Sequence, residues 1–200
     1  TVQPIAAALA RKAQKPVRVT LTREQDFEMI RARHPAKVWM KTGAKLDGTL
    51  VAREVKIILD GGAYADDSPG VGAVCALFSR GPYKIENVRL DCRPVYTNKL
   101  RSGAFRGYGG PQVAMAGETQ IDEIAERIGM DPIDVRLKNA TVAGEEWMFG
   151  HVLSQDGLTE CLNRVREASD WDNRPKAAAN GSGKRRALGV ACMPHLSGLL

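Results

Sequence analysis

Apolar positions along this 200-residue chain switch between helical and strand spacing, and the switches mark out its elements. From Pro4 to Lys15, Ile5, Ala8, Leu9 and Lys12 recur at helical intervals, with Pro4 suited to a first turn. Val17–Thr22 reads as a strand, and Thr22 as the N-cap of a short helix over Arg23–Met29. Residues 36–60 read as a hairpin, with Val38, Met40 and Leu46 on one limb, Asp47-Gly48 at the turn and Leu50–Leu59 alternating on the other. Asp60–Asp67 reads as a loop, Val71–Phe78 as a short buried helix and Val88–Tyr96 as a strand.

Beyond Gln112, residues Val113, Ala116, Ile121, Ile124, Ala125 and Ile128 keep the helical period as far as Gly129, a C′ glycine. Asp131-Pro132 opens another helix through Asn139, and Leu158–Ala168 is a further amphipathic helix. The polar run 173–184 reads as a linker between a domain over 1–172 and a further segment over 185–200, whose Ala187–Met193 has strand character. Hairpins and helices without a regular βαβ alternation predict an α+β fold of layered mixed sheets and helices.

Composition narrows the classes. A hydrophobic fraction of 44% and a charged fraction of 26% are those of a soluble globular protein. No run of apolar residues approaches the ~20 needed to span a bilayer. The net charge of +6 comes from dispersed basic residues, with Lys184-Arg185-Arg186 the one tight cluster. Aromatics are not interleaved with them as stacking platforms, so a nucleic-acid partner is not expected. The four cysteines, Cys75, Cys92, Cys161 and Cys192, form no Cys-x-x-Cys pair and sit among apolar neighbours. They read as buried structural thiols in a reducing cytoplasm, not as zinc or iron–sulfur ligands. The start Thr1-Val-Gln-Pro and the apolar end at Leu200 both read as cuts within a longer chain.

The chemistry concentrates in Gly103-Ala-Phe-Arg-Gly-Tyr-Gly-Gly-Pro-Gln112. A glycine-rich turn that feeds a helix lets a ligand approach the main chain and aims several N–H groups at an anion. Phe105, Arg106 and Tyr108 interleave the glycines, which a plain turn would not need. Gln112 stands where a Gly-x-Gly-x-x-Gly dinucleotide loop needs glycine, and no Lys-Ser/Thr follows, so nicotinamide and nucleoside triphosphate sites are not expected. His34, His151 and His195 lack metal-ligand spacing. Asp60, Asp66 and Asp67 could bind an ion but read better as solvated turn carboxylates. On the following helix Glu118, within two turns of its start, is the best candidate for contact with the glycine loop. No pair of carboxylates stands out as acid and base.

Leu100-Arg-Ser-Gly-Ala-Phe-Arg-Gly-Tyr-Gly-Gly-Pro-Gln112 resembles the Ala-Phe-Arg-Gly-Phe-Gly-x-Pro-Gln signature of the molybdenum hydroxylases. This is the xanthine dehydrogenase, aldehyde oxidase and 4-hydroxybenzoyl-CoA reductase family, in its large molybdopterin-binding subunit. Supporting motifs follow in the family's order: Arg18–Asp26, Arg33-His-Pro35, Asp60-Gly-Gly-Ala-Tyr64, Gly81-Pro-Tyr-Lys-Ile85, Tyr96-Thr-Asn98 and Met130–Asn139. The resemblance implies a fragment of a molybdopterin-binding domain, with 185–200 starting the next cofactor-binding segment. It also implies an enzyme that oxidises an aldehyde or an N-heterocycle with water as the oxygen source.

Carried over by position, Ala104, Phe105, Arg106, Gly107 and Gln112 would border the molybdenum–molybdopterin cofactor, which in some members is a cytosine dinucleotide. The main-chain amides of Ala104 and Arg106 would lie nearest to it. Tyr108 would line the substrate pocket, where purine oxidisers carry Phe. The resemblance places iron–sulfur clusters and FAD on other domains or partner subunits. It also places an upstream Gly-Gly-Phe-Gly-Gly-Lys loop before Thr1 and the catalytic glutamate far downstream. No catalytic residue and no direct metal ligand is therefore expected within these residues. An arginine of the purine oxidisers is replaced near Cys75, which disfavours purines. Alternatives are an aromatic acyl-CoA reductase of the same family, or a non-catalytic scaffold that keeps the fold.

Overall fold

The computed structural model describes residues 2–148, 150–174 and 187–195. Helix α1 (Val2–Ala13) and helix α2 (Arg23–Met29) come first. Thr22 caps α2 in a capping box: its side chain accepts from the Gln25 amide while the Gln25 side chain accepts from the Thr22 amide. Strand β1 (Ala36–Ala44) pairs antiparallel with β2 (Leu50–Gly62) through the expected hairpin. Its turn is closed by Gly48, whose φ of 87° suits glycine. Leu46 belongs to the turn itself, 89% exposed, and not to a limb.

On β2, Arg53, Val55, Ile57 and Leu59 face inward at period two. The strand runs through Gly62, three residues into the expected loop. It feeds helix α3 (Ser68–Phe78), which returns to strand β3 (Asn87–Tyr96), and β3 lies parallel to β2 from Ala52↔Asn87 to Gly62↔Tyr96. One βαβ crossover therefore exists where the sequence showed no alternation. Strand order is β1-β2-β3, with β2 central.

Helix α4 (Gly110–Ile128) ends at Gly129 in the left-handed region, and α5 (Pro132–Asn139) starts from the Asp131 cap, both as expected. A two-stranded ribbon of β4 (Glu146–Met148) and β5 (His151–Val152) precedes α6 (Leu158–Ala168) and a single 3₁₀ turn at Trp171–Asn173. The expected strands at Val17–Thr22 and Ala187–Met193 do not form. Each has strand composition, but neither has a ladder partner among the described residues, and an unpaired strand is not stable. Of the expected linker, 175–184 lies outside the described residues, as do 185–186 and 196–200.

The main core joins Val55, Ile57 and Leu59 of β2 to Val71, Cys75 and Phe78 of α3, Val113 of α4, and Trp147 and Met148. A second cluster gathers Leu50, Tyr83, Ile85, Ile121, Ile124, Ala125 and Val135, and a third Ile133, Leu162, Trp171 and Cys192. Among the thiols, Cys75 and Cys192 are buried as expected, Cys92 is half-buried and Cys161 is exposed on α6. Among the described residues, no helix is long and apolar enough to cross a membrane.

Candidate functional site: a glycine loop at the sheet end

The sheet determines where the glycine loop sits. After β3 the chain turns across the end of β2, where Ala63 donates to the Lys99 carbonyl at 3.1 Å and Ser102 to the Gly61 carbonyl at 2.9 Å. Gly62 permits this crossing, since a Cβ there would lie 2.3 Å from the Leu100 oxygen. Asp60 fastens the same corner, accepting from Gly62 N, Thr97 Oγ1 and Lys99 Nζ. Hydrogen bonds from Lys99 and Thr97 hold its carboxyl well below the usual range, at about 2. Asp66 and Asp67 pair with Arg31 at 3.0 and 2.6 Å. The three aspartates therefore neutralise local cations instead of standing as free turn carboxylates. Among the described residues, no three His, Cys, Asp or Glu side chains gather where they could hold a metal.

The loop is a tight reversal. Tyr108 donates its amide to the Phe105 carbonyl and Gly110 to the Gly107 carbonyl, both at 2.8 Å. Gly107, Tyr108 and Gly109 have φ of 88°, 43° and 100°. A Cβ on Gly109 would sit 2.7 Å from Cys75 Sγ, so the backbone presses onto α3. Cys75 donates its thiol to the Gly109 carbonyl at 3.2 Å, which places it directly behind the loop. Its thiol pKa is pushed up by its hydrogen bond with Cys92 and by burial, so it stays protonated.

The candidate residues do converge here. Ala104, Phe105 and Arg106 are exposed at the surface of the reversal, with Phe105 53% accessible. The Ala104 amide reaches toward Asp67 Oδ2 at 3.4 Å. The Phe105, Arg106 and Gly107 amides have no acceptor among the described residues. Because a trans peptide sets its C=O and N–H in opposite directions, the Phe105 carbonyl, turned inward to Tyr108, sends the Arg106 N–H outward. Exposed donors on a rigid turn at a helix N-terminus fit an anionic cofactor. Tyr108 is half-buried against Gly70 of α3, where a Cβ would come within 2.7 Å of its hydroxyl. Strain at its positive φ is tolerated because α3 and the main core pack around it. Gln112 engages both ends of its amide inside the chain, accepting from Arg33 Nη1 at 3.2 Å and donating to the His34 carbonyl at 3.3 Å.

Glu118 does not meet the glycine loop. It is buried and accepts from Tyr83 Oη at 2.7 Å, Arg136 Nε at 2.9 Å and the Cys192 amide at 2.8 Å. Burial opposes the Arg136 charge, but Tyr83, Glu118 and Asp122 outweigh it and hold the guanidinium above its usual value. Two turns of helix carry Glu118 past the loop and onto the second core, where a buried carboxylate needs a cation. Sequence reasoning also missed Arg33. It lies in the Arg-His-Pro motif, but its contacts with the loop span 73 to 79 residues.

Residues 1–140 match the molybdopterin cofactor-binding domain family, and the chain belongs to that family. The chain is 42% identical over 168 residues to the nicotinate dehydrogenase large molybdopterin subunit of Eubacterium barkeri, covering 84% of this chain and 40% of that protein. It is 35% identical over 203 aligned residues to the xanthine dehydrogenase molybdenum-binding subunit of Escherichia coli O157:H7, covering 98% of this chain and 26% of that protein. Among solved structures, the aldehyde oxidoreductase from Desulfovibrio gigas superposes with a TM-score of 0.74 at 30% identity, over 88% of this chain and 20% of that one. The chain thus spans well under half the length of these relatives.

Proposed function

We propose that this chain supplies the glycine-loop side of the molybdopterin site in the large subunit of a molybdenum hydroxylase. One observation carries the reading: the amides of Phe105, Arg106 and Gly107, which have no acceptor among the described residues, on a turn held in place by its packing against α3. The bound group would supply the redox chemistry and the activated water oxygen. The residues of this chain bind and orient. The exposed amides of the loop hold the cofactor's anionic groups, and Gln112 braces the loop from within. Tyr108 flanks the substrate, its ring steadied by α3.

The substrate class that fits the resemblance is an aldehyde or an N-heterocycle, oxidised at carbon. Nicotinate dehydrogenase among the relatives supports the heterocycle. In this reading the cofactor is the molybdopterin cytosine dinucleotide form. Partner subunits carrying iron–sulfur clusters and flavin receive the electrons. The described free thiols suit a cytoplasmic enzyme.

The test is a molybdenum and pterin assay on the full-length parent polypeptide, purified with its accompanying subunits. A nucleotide analysis and a screen of aldehydes and N-heterocycles follow. Stoichiometric metal and pterin with turnover of one class is the expected result. A correctly assembled parent that is empty of both would overturn the reading in favour of a scaffold. Reduction of an aromatic thioester in place of hydroxylation would move the protein to the acyl-CoA reductase branch.

A further inference from the structure

We infer that Arg33 is a positioning residue that locks the orientation of the Arg106–Gly107 peptide and so aims the Gly107 N–H at the cofactor. This rests on the reading of the loop as a molybdopterin site. The guanidinium holds the loop at three points. Arg33 Nη2 donates to the Arg106 carbonyl at 2.5 Å, and Nη1 donates to Gln112 Oε1 at 3.2 Å. The group also lies over the Phe105 ring, 4.8 Å from its centroid. Entry, turn and exit of the loop are therefore tied to one side chain, whose rigid planar fork fixes the directions of its donors as a rotatable ammonium does not.

The lock follows from peptide geometry. The Arg106 carbonyl and the Gly107 N–H belong to one trans peptide and point opposite ways. Fixing that carbonyl on Arg33 turns the Gly107 N–H to the far side, where it has no acceptor among the described residues. Glycine at 107 has a φ of 88°, a region where its peptide could otherwise flip at little cost.

Arg33 is itself anchored. Ala32 forms a parallel bridge with Ser102 and accepts from the Gly103 amide at 3.0 Å. His34 is buried against Ser68 Oγ at 2.8 Å and its carbonyl accepts from Gln112. The Pro35 carbonyl accepts from the Asp60 amide at 2.9 Å. Residues 31–35 thus form a fixed strap along the base of the loop.

The experiment compares Arg33→Ala and Arg33→Lys in the full-length parent with its accompanying subunits. Gly129→Ala is the control: a mild backbone lesion at the far end of α4 (Gly110–Ile128), roughly 28 Å along the helix. Two readouts are taken: pterin and molybdenum retained through repeated gel filtration, and trypsin cleavage of the Arg106–Gly107 bond in cofactor-free protein, scored by mass spectrometry. Arg33→Ala is expected to lose pterin about tenfold faster than the parent, as for loss of a charge-assisted hydrogen bond. It should also be cut faster at Arg106. Arg33→Lys should fall between, and Gly129→Ala should match the parent in both. Unchanged cleavage at Arg106 in Arg33→Ala overturns the proposal, as does equal pterin loss in Gly129→Ala. If the unaltered parent holds neither metal nor pterin, the functional reading fails on its own, and the cleavage arm still decides whether Arg33 holds the loop.

Discussion

Replacing Glu118 by alanine removes the acceptor that makes the second core possible. The Arg136 side chain is fully buried, and Glu118 is its least exposed partner; the other, Asp122, is half exposed. Breaking a buried ion pair from one side costs about 3–5 kcal/mol, because the remaining charge stays in a poorly polarisable site. Arg136 keeps Asp122 at 2.7 Å and the Pro132 carbonyl at 3.0 Å, which draws its share toward the low end. Tyr83, with 0% of its surface exposed, loses the carboxylate to which its hydroxyl donates, and such an orphaned group costs about 1–3 kcal/mol. The Cys192 amide loses its acceptor as well, which removes one tie between 187–195 and α4. The expected total of about 4–6 kcal/mol lowers the thermal midpoint by roughly 8–24 °C in a domain of this size. Thermal unfolding followed by circular dichroism measures it. In an Arg136→Met background the same substitution should cost less, with a coupling of about 1–3 kcal/mol. A Glu118→Ala midpoint close to the parent's, or strict additivity in the double variant, would refute the argument that the pair acts as a unit.

The remaining predictions are independent of that network. Gly109→Ala should prevent a stable loop, since its Cβ would meet Cys75 Sγ at 2.7 Å and the Val71 carbonyl at 2.8 Å, whereas Gly129→Ala, with open space around it, should cost only about 1–2 kcal/mol; equal unfolding midpoints for the two would sink the steric account. With a thiol reagent under native conditions, exposed Cys161 should label first, with buried Cys75 and Cys192 reacting only on unfolding. Burial lowers the His34 pKa against the opposing pull of Asp60, Asp66 and Asp67. A depressed folded value means that the unfolded chain takes up the proton first. The stability His34 contributes is thus complete above about 6.5 and lost as pH falls through its lower folded pKa. Unfolding midpoints between neutral and mildly acidic pH should fall less steeply in His34→Gln, and identical slopes would contradict this.

Much of the local structure could be read from short windows of residues. Thr22, Gly129 and the Asp131-Pro132 pair mark helix ends through bonds that span only a few residues, and each stands where expected. The helix Leu158–Ala168 matched residue for residue because its apolar stripe and flanking turns are local features. The tight glycine-rich reversal at 103–112 was legible for the same reason: glycine spacing determines backbone freedom before any partner is present.

Direction and partnership were not legible. Alternation in Leu50–Leu59 and Val88–Tyr96 marks both as strands, but a period of two is the same for either strand direction, so the parallel pairing appeared only with α3 folded between them. Val17–Thr22 had the composition of a strand and no ladder to join. Glu118 read as a contact of the glycine loop, and Arg33 only as part of the Arg33-His-Pro35 motif. Their partners lie 18 to 79 residues away, at Arg136, Tyr83, Cys192, Arg106 and Gln112. Where helices begin and end, and where a ligand could approach the main chain, were therefore written in the order of the residues, since both depend on backbone sterics and nearest hydrogen bonds. Which charges are buried together, and which way the loop's amides point, emerged only on folding, because both follow from contacts that exist once the sheet has brought distant segments to one end.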